Sequence, residues 1–335
     1  MINYKFNLQL FAELNTNVTT QTGDFNGRSQ DLSVENKTFY DMTLIDVAQA
    51  ELVHDQFGQE RDIPKNGGKR IEFRQFASLP KALAPLTEGV TPDGSKLSAT
   101  SIEAEVSQYG NYVTLSDVLD LTAIDNVVVE ATKACGRQAG LTLDTVTRNV
   151  LQACPNVWYA PKGDGTVVTS RTALDATCKL TVKLVKKVAA FLKANNAPKI
   201  NGDYVAIIHP YAAFDLMEDP EWKYPHQYKD TENLYNGEIG KVAGVRFVET
   251  SEALILDGGV FSTLFLAEGA YGKTKITGGG LETIIKQAGS AGTADPLNQR
   301  STVGWKAIKT AEILVPAYLV RVESKGEFSE DADAN

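Results

Sequence analysis

The sequence is poor in the residues that catalysis and metal binding draw on. Its three histidines, His54, His209 and His226, stand apart, and none has a second histidine three or four positions away to form a helical metal pair. The three cysteines, Cys135, Cys154 and Cys178, lie 19 and 24 residues apart. An odd number at those spacings fits neither a disulfide framework nor a zinc site, and suits a reducing cytosol. No run approaches the roughly 20 apolar residues that span a bilayer. The opening MINYKFNLQLFAE is broken by Asn7 and Gln9 and is too short and polar for a secretory signal, so the Asn-x-Thr triplets at Asn17 and Asn36 carry no glycosylation argument. The expectation is a soluble chain made in cytoplasm, with no membrane partner. A basic excess is missing as well. With 33 Lys and Arg against 42 Asp and Glu, the formal charge is −9, the wrong sign for a nucleic-acid-gripping surface. DNA could still be a neighbour, to which an acidic protein would not adhere.

What remains is ordinary globular material: 335 residues, 43% hydrophobic and 22% charged, enough for two compact domains with appendages. Residues 1 to about 35 are rich in Asn, Thr and Gln without a sustained period, and read as an extended arm. A short helix is expected from Asp41 to about Phe57. In KRIEFRQF, Ile71 and Phe73 alternate with Arg70, Glu72 and Arg74. In SIEAEV, Ile102, Ala104 and Val106 alternate with Glu103 and Glu105. The two read as an antiparallel pair with a basic strand facing an acidic one. Some 24 residues join them, with Pro80, Pro85, Pro92, Gly89 and Gly94, a length usually reserved for function.

The longest helical pattern follows. Val128, Ala131, Cys135, Ala139, Thr142, Val146, Val150 and Ala153 recur close to the helical period and predict a helix over Asp125–Ala153, stopped by Pro155. A hairpin is expected from Val157 to Val168, turning at Gly163-Asp164-Gly165, and a second helix over Thr181–Asn195 with Leu184, Val185, Val188 and Leu192 inward. Its lysines 183, 186, 187 and 193 read as a solvated face. After Asp203 the texture is mixed: YVAIIHP as a buried strand, a helix around Phe214, Leu216 and Met217, then strands at Val245–Val248, Ser262–Ala267, Leu281–Lys286, Val303–Lys309 and Ala317–Glu323. Residues 327–335 carry four acids and no base and read as a solvated tail. Without a regular βαβ rhythm the fold class is α+β.

Tests for chemistry fail one by one. AEGAYGKT, residues 267–274, lacks the first glycine of a phosphate loop, which is Ala267 here, and the Lys-Ile-Thr and three glycines after it cannot begin a helix. GSAG at 289–292 lacks the leading glycine of a nucleophile elbow. No pair of carboxylates is singled out. The reading is not an enzyme: no catalytic, metal or cofactor-binding residue, and no cofactor.

The most informative stretch is Gly278 to Trp305, GGGLETIIKQAGSAGTADPLNQRSTVGW, with six glycines and an Asp295-Pro296 turn. Glycine lets backbones approach closely at a cost in entropy, as where chain packs on chain. This block, extended to Ala307, resembles the signature of the N-four-type major capsid protein family of tailed bacteriophages. FNLQLFA, Phe6–Ala12, resembles the opening of many such proteins. NGEIGKVAGVRFVETS, Asn236–Ser251, resembles their glycine turn and strand near the capsomer axis. IIHP near 207 and EDPEW at 218–222 fall in the expected order.

The resemblance implies the tailed-phage and herpesvirus major capsid fold. Its parts would be an N-terminal arm (1–35), a connecting helix (36–64), an extended two-stranded loop (65–112), a peripheral domain with a long spine helix (113–199 and 300–325), an axial domain (200–299) and an acidic tail (326–335). The last two strands would return to complete the peripheral domain. The chain would assemble into pentamers and hexamers of an icosahedral shell around double-stranded DNA, built in the host cytoplasm and residing in the virion. Its partners would be copies of itself, a portal, and scaffolding or decoration proteins, with packaged DNA as a non-specific neighbour. No scaffolding-like segment precedes the arm, which points to a separate scaffold. The extended loop would lie over a neighbouring subunit, with Lys69, Arg70, Arg74, Glu103 and Glu105 as candidate intersubunit contacts; no Lys–Asn crosslink pair is matched. Three readings compete: a tail-tube or decoration protein, which the long helix disfavours; a nucleotide-binding enzyme built on Gly272-Lys273-Thr274; and a DNA-binding shell or nucleoid protein, which the charge disfavours.

Overall fold

The computed structural model describes residues 53–76, 79–122 (except 80, 84, 86–87, 90 and 92–93), 127–222, 240–277, 279–290 and 295–335, together with two short strands near the N-terminus. The chain divides into units 1–49 and 50–335. In the first, Asp24–Phe25 (β1) pairs antiparallel with Arg28–Ser29 (β2). The remainder of the expected arm, and the helix from Asp41 up to residue 52, lie outside the described residues; 53–57 form turns rather than helix.

In the second unit the chain runs through Gln59–Glu60 (β3), Arg70–Phe76 (β4), Ala99–Glu105 (β5), Ser107–Ser116 (β6), Asp117–Thr122 (α1) and Val127–Gln152 (α2). Val157–Tyr159 (β7), Val182–Ala194 (α3), Tyr204–Ile208 (β8), Pro210–Glu218 (α4), Lys241–Val242 (β9), Val245–Glu249 (β10) and Ile255–Leu256 (β11) follow. Val260–Leu266 (β12), Tyr271–Thr274 (β13), Glu282–Lys286 (β14), Arg300–Ile313 (β15) and Leu319–Ser324 (β16) complete it. The α+β class is as expected.

The strands form two main sheets. The first has the order β7-β16-β12-β8-β10-β9, with β11 added to β12. Every residue of β8 and β12 is buried, which is why β8 reads as an unbroken apolar run rather than an alternating one; β12 also buries the polar Ser262 and Thr263. Two helices sit in its core. The Thr181 hydroxyl accepts from the Leu184 amide to start α3, whose Val185, Val188 and Leu192 are fully buried with Ala206, Ile208 and Phe265. Pro210 opens α4, with the His209 imidazole accepting from the Tyr211 amide. Each large side chain sealed here contributes about 1.5–3 kcal/mol of transfer free energy.

The second sheet is organised by β15. β6 runs along residues 300–309 of it, β14 along 302–306 and β13 along 310–313, and β3 joins β13 in parallel. Helix α2 lies on one face, with Cys135 and Ala139 against Val303, Trp305 and Ala307; small helix residues leave room for the indole. A further cluster, including Val53, Leu151, Cys154, Ile207, Leu264 and Tyr271, joins the end of α2 to the first sheet.

Several expectations change. Residues 157–168 are no hairpin. β7 pairs parallel with β16, and only a tight turn, with the Gly165 amide bonded to the Lys162 carbonyl at 2.8 Å, remains at the predicted glycines. The sheets also group the chain differently from the expected stretches. β16 pairs with β12 and brings β7 into the sheet of 204–266, and β13 and β14 pair with β15. The last two strands therefore do not form a pair: β16 belongs to the first sheet. The buried stripe of α2 follows the expected positions through Cys135 and Ala139, but then runs through Asp144, Thr147, Arg148 and Leu151, three of them polar, instead of Thr142, Val146 and Val150.

Candidate assembly surfaces

The strand pair β4–β5 carries the five residues singled out in the sequence. Ladder register sets Arg70 opposite Glu105 and Arg74 opposite Ser101. The Arg70 guanidinium lies 3.3 Å from Glu105 and 3.7 Å from Glu103. Arg74 turns to Glu72 of its own strand, at 3.1 Å, and that hydrogen bond holds the Glu72 carboxyl below its ordinary range. The expected basic strand on an acidic one is thus only half right, because Glu72 faces Glu103 across the ladder. Lys69 makes no ion pair among the described residues; its carbonyl accepts from the Val106 amide at 3.0 Å. The structure therefore brings Arg70, Glu103 and Glu105 together and leaves Lys69 and Arg74 out of that cluster. These pairs are exposed and add little to folding.

The hairpin is rooted by Phe73 and Ala104 packed on Leu314. Gly272 makes that possible, since a Cβ there would come within 2.9 Å of the Phe73 ring. Beyond the root cover ends: Leu79 and Leu83 are 54% and 83% exposed.

Beneath α2 the segment before the hairpin is pinned by polar contacts. His54 Nδ1 lies 2.7 Å from Asp144 Oδ2, with both side chains buried. The Tyr271 hydroxyl donates to the His54 carbonyl at 2.5 Å, and burial pushes that phenol far above its ordinary range. Thr147 donates to Asp55 at 3.0 Å, while Lys309 Nζ reaches Asp55 at 2.7 Å and the Leu143 carbonyl at 3.0 Å. No spacing in the sequence pointed to His54–Asp144, because its members stand 90 positions apart.

The Gly272-Lys273-Thr274 sequence lies in β13, a strand, and the described residues directly after it, 275–277, form no helix. Lys273 and Lys275 both bond Glu60, at 3.2 and 2.6 Å. Hydrogen bonds from Lys275, then Lys273, hold the Glu60 carboxyl below its usual value. This is a sheet edge, without the helix N-terminus that a phosphate loop presents to its ligand.

The acidic tail is docked rather than solvated. Phe328 stacks on Tyr211 with centroids 4.7 Å apart and meets Phe214 edge-on at 5.3 Å. Lys179 bridges Asp215 and Glu327 at 3.0 and 3.2 Å. Arg148 donates to the Glu252 carbonyl at 3.0 Å and to Asn335 Oδ1 at 3.2 Å. That acceptor is why a guanidinium can enter the stripe of α2. Phe328, an aromatic inside an acidic run, was the sequence's signal for docking. Nearby, the fully buried Glu323 carboxylate takes two bonds from Arg171, at 2.8 and 2.7 Å, and lies 3.0 Å from Arg321.

The arrangement holds partnered charges, an overlong apolar-tipped hairpin and open strand edges, and no group of histidine, cysteine and carboxylate side chains among the described residues could hold a metal. No helix among them is long and apolar enough to cross a membrane. The sequence matches the phage capsid protein family over residues 99–322, about two thirds of the chain. No curated protein matches it. Among solved structures, the capsid of cyanophage P-SCSP1u is similar at 14% identity and a TM-score of 0.64, covering 97% of this chain and 100% of that one. The capsid asymmetric unit of cyanophage Pam1 is similar at 16% identity and 0.64, over 94% and 99%. The capsid of Ralstonia phage GP4 is similar at 13% and 0.62, over 83% and 89%. At these identities the likeness is one of fold.

Proposed function

This chain belongs to the phage capsid protein family, and from that premise we propose how a major capsid protein of this sequence builds its shell. Its role is structural, not enzymatic, and its place is the virion, where copies associate with one another to form the capsid. In our reading the copies gather as pentamers and hexamers, since heterologous contacts about an axis close into rings. The body around β8, β10 and β12 would stand nearest the axis. The body of α2 and β15 would lie at the periphery. The hairpin 65–112 would reach over a neighbour, the arm 1–35 would latch onto another copy, and the tail 326–335 would stay on its own subunit.

The observation that carries this reading is the family match over 99–322. The hairpin agrees with it. Leu79, Leu83 and Leu97 are exposed at its far end, a cost that a neighbouring surface would remove. Lys69 is the first candidate for an ion pair with another copy. Arg70, Arg74, Glu103 and Glu105 would have to exchange partners they already hold, setting register more than energy. A portal and scaffolding or decoration proteins would complete the head, assembled in the host cytoplasm. DNA inside would be a neighbour to a shell whose every subunit carries a net charge of −9, repelled rather than gripped.

The test is sedimentation of the purified, tag-free protein followed by negative-stain electron microscopy. Closed particles or discrete five- and six-fold rings are expected. A monomer that persists across salt and concentration, with and without the other head proteins, would overturn the reading.

A further inference from the structure

The strand β6 is an edge without the usual guards. Its sequence, SQYGNYVTLS, runs ten residues with no charge and no proline, the two devices by which exposed edges normally avoid pairing. The other described strands of five or more residues with a free edge are charged: β4 carries Arg70, Glu72 and Arg74, β5 carries Glu103 and Glu105, and β14 carries Glu282 and Lys286. β6 pairs on one side with β15, and no described strand pairs with its other side.

Ladder alternation identifies the groups left over. Asp117 donates to Gln299 O in the same register that pairs Ser116 with Arg300, so odd-numbered amides of β6 serve β15 and even-numbered ones point away. Val106, of that outward set, already donates away to Lys69 O at 3.0 Å. Tyr112 is covered only by the Oδ1 of its neighbour Asn111, at 2.9 Å. Gln108, Gly110 and Thr114 have no backbone partner on that side. The Tyr112 ring, 69% exposed, stands on the sheet face opposite α2.

We propose that β6 pairs antiparallel with β6 of a second copy of this chain across a two-fold axis centred at Tyr112. This rests on the capsid reading and deepens it by naming one contact between copies. A two-fold sets a strand against itself, so any charge in it would face its like; an uncharged strand is the sequence such a contact tolerates. In that register Gln108 faces Ser116, Gly110 faces Thr114, and the two Tyr112 rings form a cross-strand aromatic pair. Asn111 Oδ1 gives up the central amide to a main-chain carbonyl, and the sheet of β14, β15 and β6 continues from one copy into the next by strand addition.

The experiment is oxidation of assembled Tyr112→Cys protein with copper-phenanthroline, followed by a non-reducing denaturing gel. The native cysteines are buried, and Val118→Cys, on exposed α1, is the control. The facing Cα atoms of such a pair lie within disulfide reach, so Tyr112→Cys should run mainly as covalent dimers and Val118→Cys as monomer. In a second measurement, Tyr112→Lys and Tyr112→Glu should each assemble at least about tenfold less than wild type because like charges meet, and an equimolar mixture should recover. Particles that form normally but yield no dimer, or charge variants whose mixture does not recover, overturn the two-fold pairing and leave the capsid reading standing. Wild-type protein that forms no particles sinks the capsid reading and this inference with it.

Discussion

The strands β8, β12 and β16 and the strands β4, β5 and β6 belong to one chain but use their side chains in opposite ways. In the first group nearly every residue is buried, with Phe265 and Val322 enclosed in the cluster of α3 and α4, and Ile207 in the cluster that Leu151 of α2 joins. In the second only Phe73, Ala104 and Leu115 are buried. The first region is finished within the subunit. The second, of comparable strand length, leaves most of its surface exposed and one edge of β6 without a strand partner among the described residues. A chain that folded only for itself would gain nothing from so much ordered, uncovered strand, because fixing each residue costs about 1–2 kcal/mol of backbone entropy. The contrast separates the part of the sequence that stabilises the subunit from the part available to its neighbours.

The comparison breaks first if the enclosed region can be damaged cheaply. Phe265→Ala should lower the stability of the unassembled subunit by about 3–5 kcal/mol in urea unfolding. Leu83→Ala, at the uncovered end of the hairpin, should cost less than about 0.5 kcal/mol. Similar losses at both positions would erase the distinction.

Next in size is the buried charge. Glu323 is wholly enclosed, and Arg321 beside it is 13% exposed in its side chain. Glu323→Gln leaves that guanidinium without its counter-charge, so about 3 kcal/mol of stability should be lost. Glu323→Gln together with Arg321→Met should recover a good part of it. A double variant no better than the single one would show that the sheet does not need the pair's charges balanced.

The enclosed region should also answer to pH through His209. Burial lowers its pKa from 6.5 to about 4, and its neutral imidazole accepts the Tyr211 amide at the start of α4. Because the folded value is depressed, the unfolded chain binds the proton first. Stability is fully present above about pH 6.5 and falls as pH drops towards 4, by up to about 3 kcal/mol. His209→Asn keeps a capping oxygen and should flatten that part of the stability profile between pH 7 and 4. An unchanged slope would assign the acid sensitivity elsewhere.

How much of this was readable in the sequence follows the same divide. Helix α3 and strand β8 were read almost to the residue, and β12 to within two, because long-range packing there asks for what local pattern already shows: period 3.6 over Leu184, Val185, Val188 and Leu192, and the unbroken apolar run of β8. The pairing of β4 with β5 was legible from alternation. What failed depended on partners distant in sequence. Asp144 and Arg148 occupy the stripe of α2 because His54 and Asn335 meet them, and no local window contains both members. β7 looked like a hairpin arm because Gly163-Asp164-Gly165 is a turn, yet its ladder partner is β16. The five candidate contacts were chosen by charge, which located the exposed hairpin. Charge could not show that Arg74 bonds within its own strand, nor direct attention to β6, which stands out by having no charge.

The smallest effect on folding, and the sharpest test of the divide, lies in the hairpin's ion pairs. Arg70 reaches Glu105 and Glu103 with its side chain 69% exposed, and Arg74 reaches Glu72 at 66%. Screening and the entropy of holding long side chains keep each pair weak. Arg70→Ala and Arg74→Ala should therefore each leave the urea midpoint of subunit unfolding close to that of wild type. If the hairpin serves a neighbour, assembly should respond where folding does not. Steering charges act on the rate of encounter and on register, so light scattering during assembly should show slower growth for both variants, converging with wild type as salt is raised. A loss of subunit stability matching the loss of assembly would mean that the hairpin, like β8 and β12, serves its own chain.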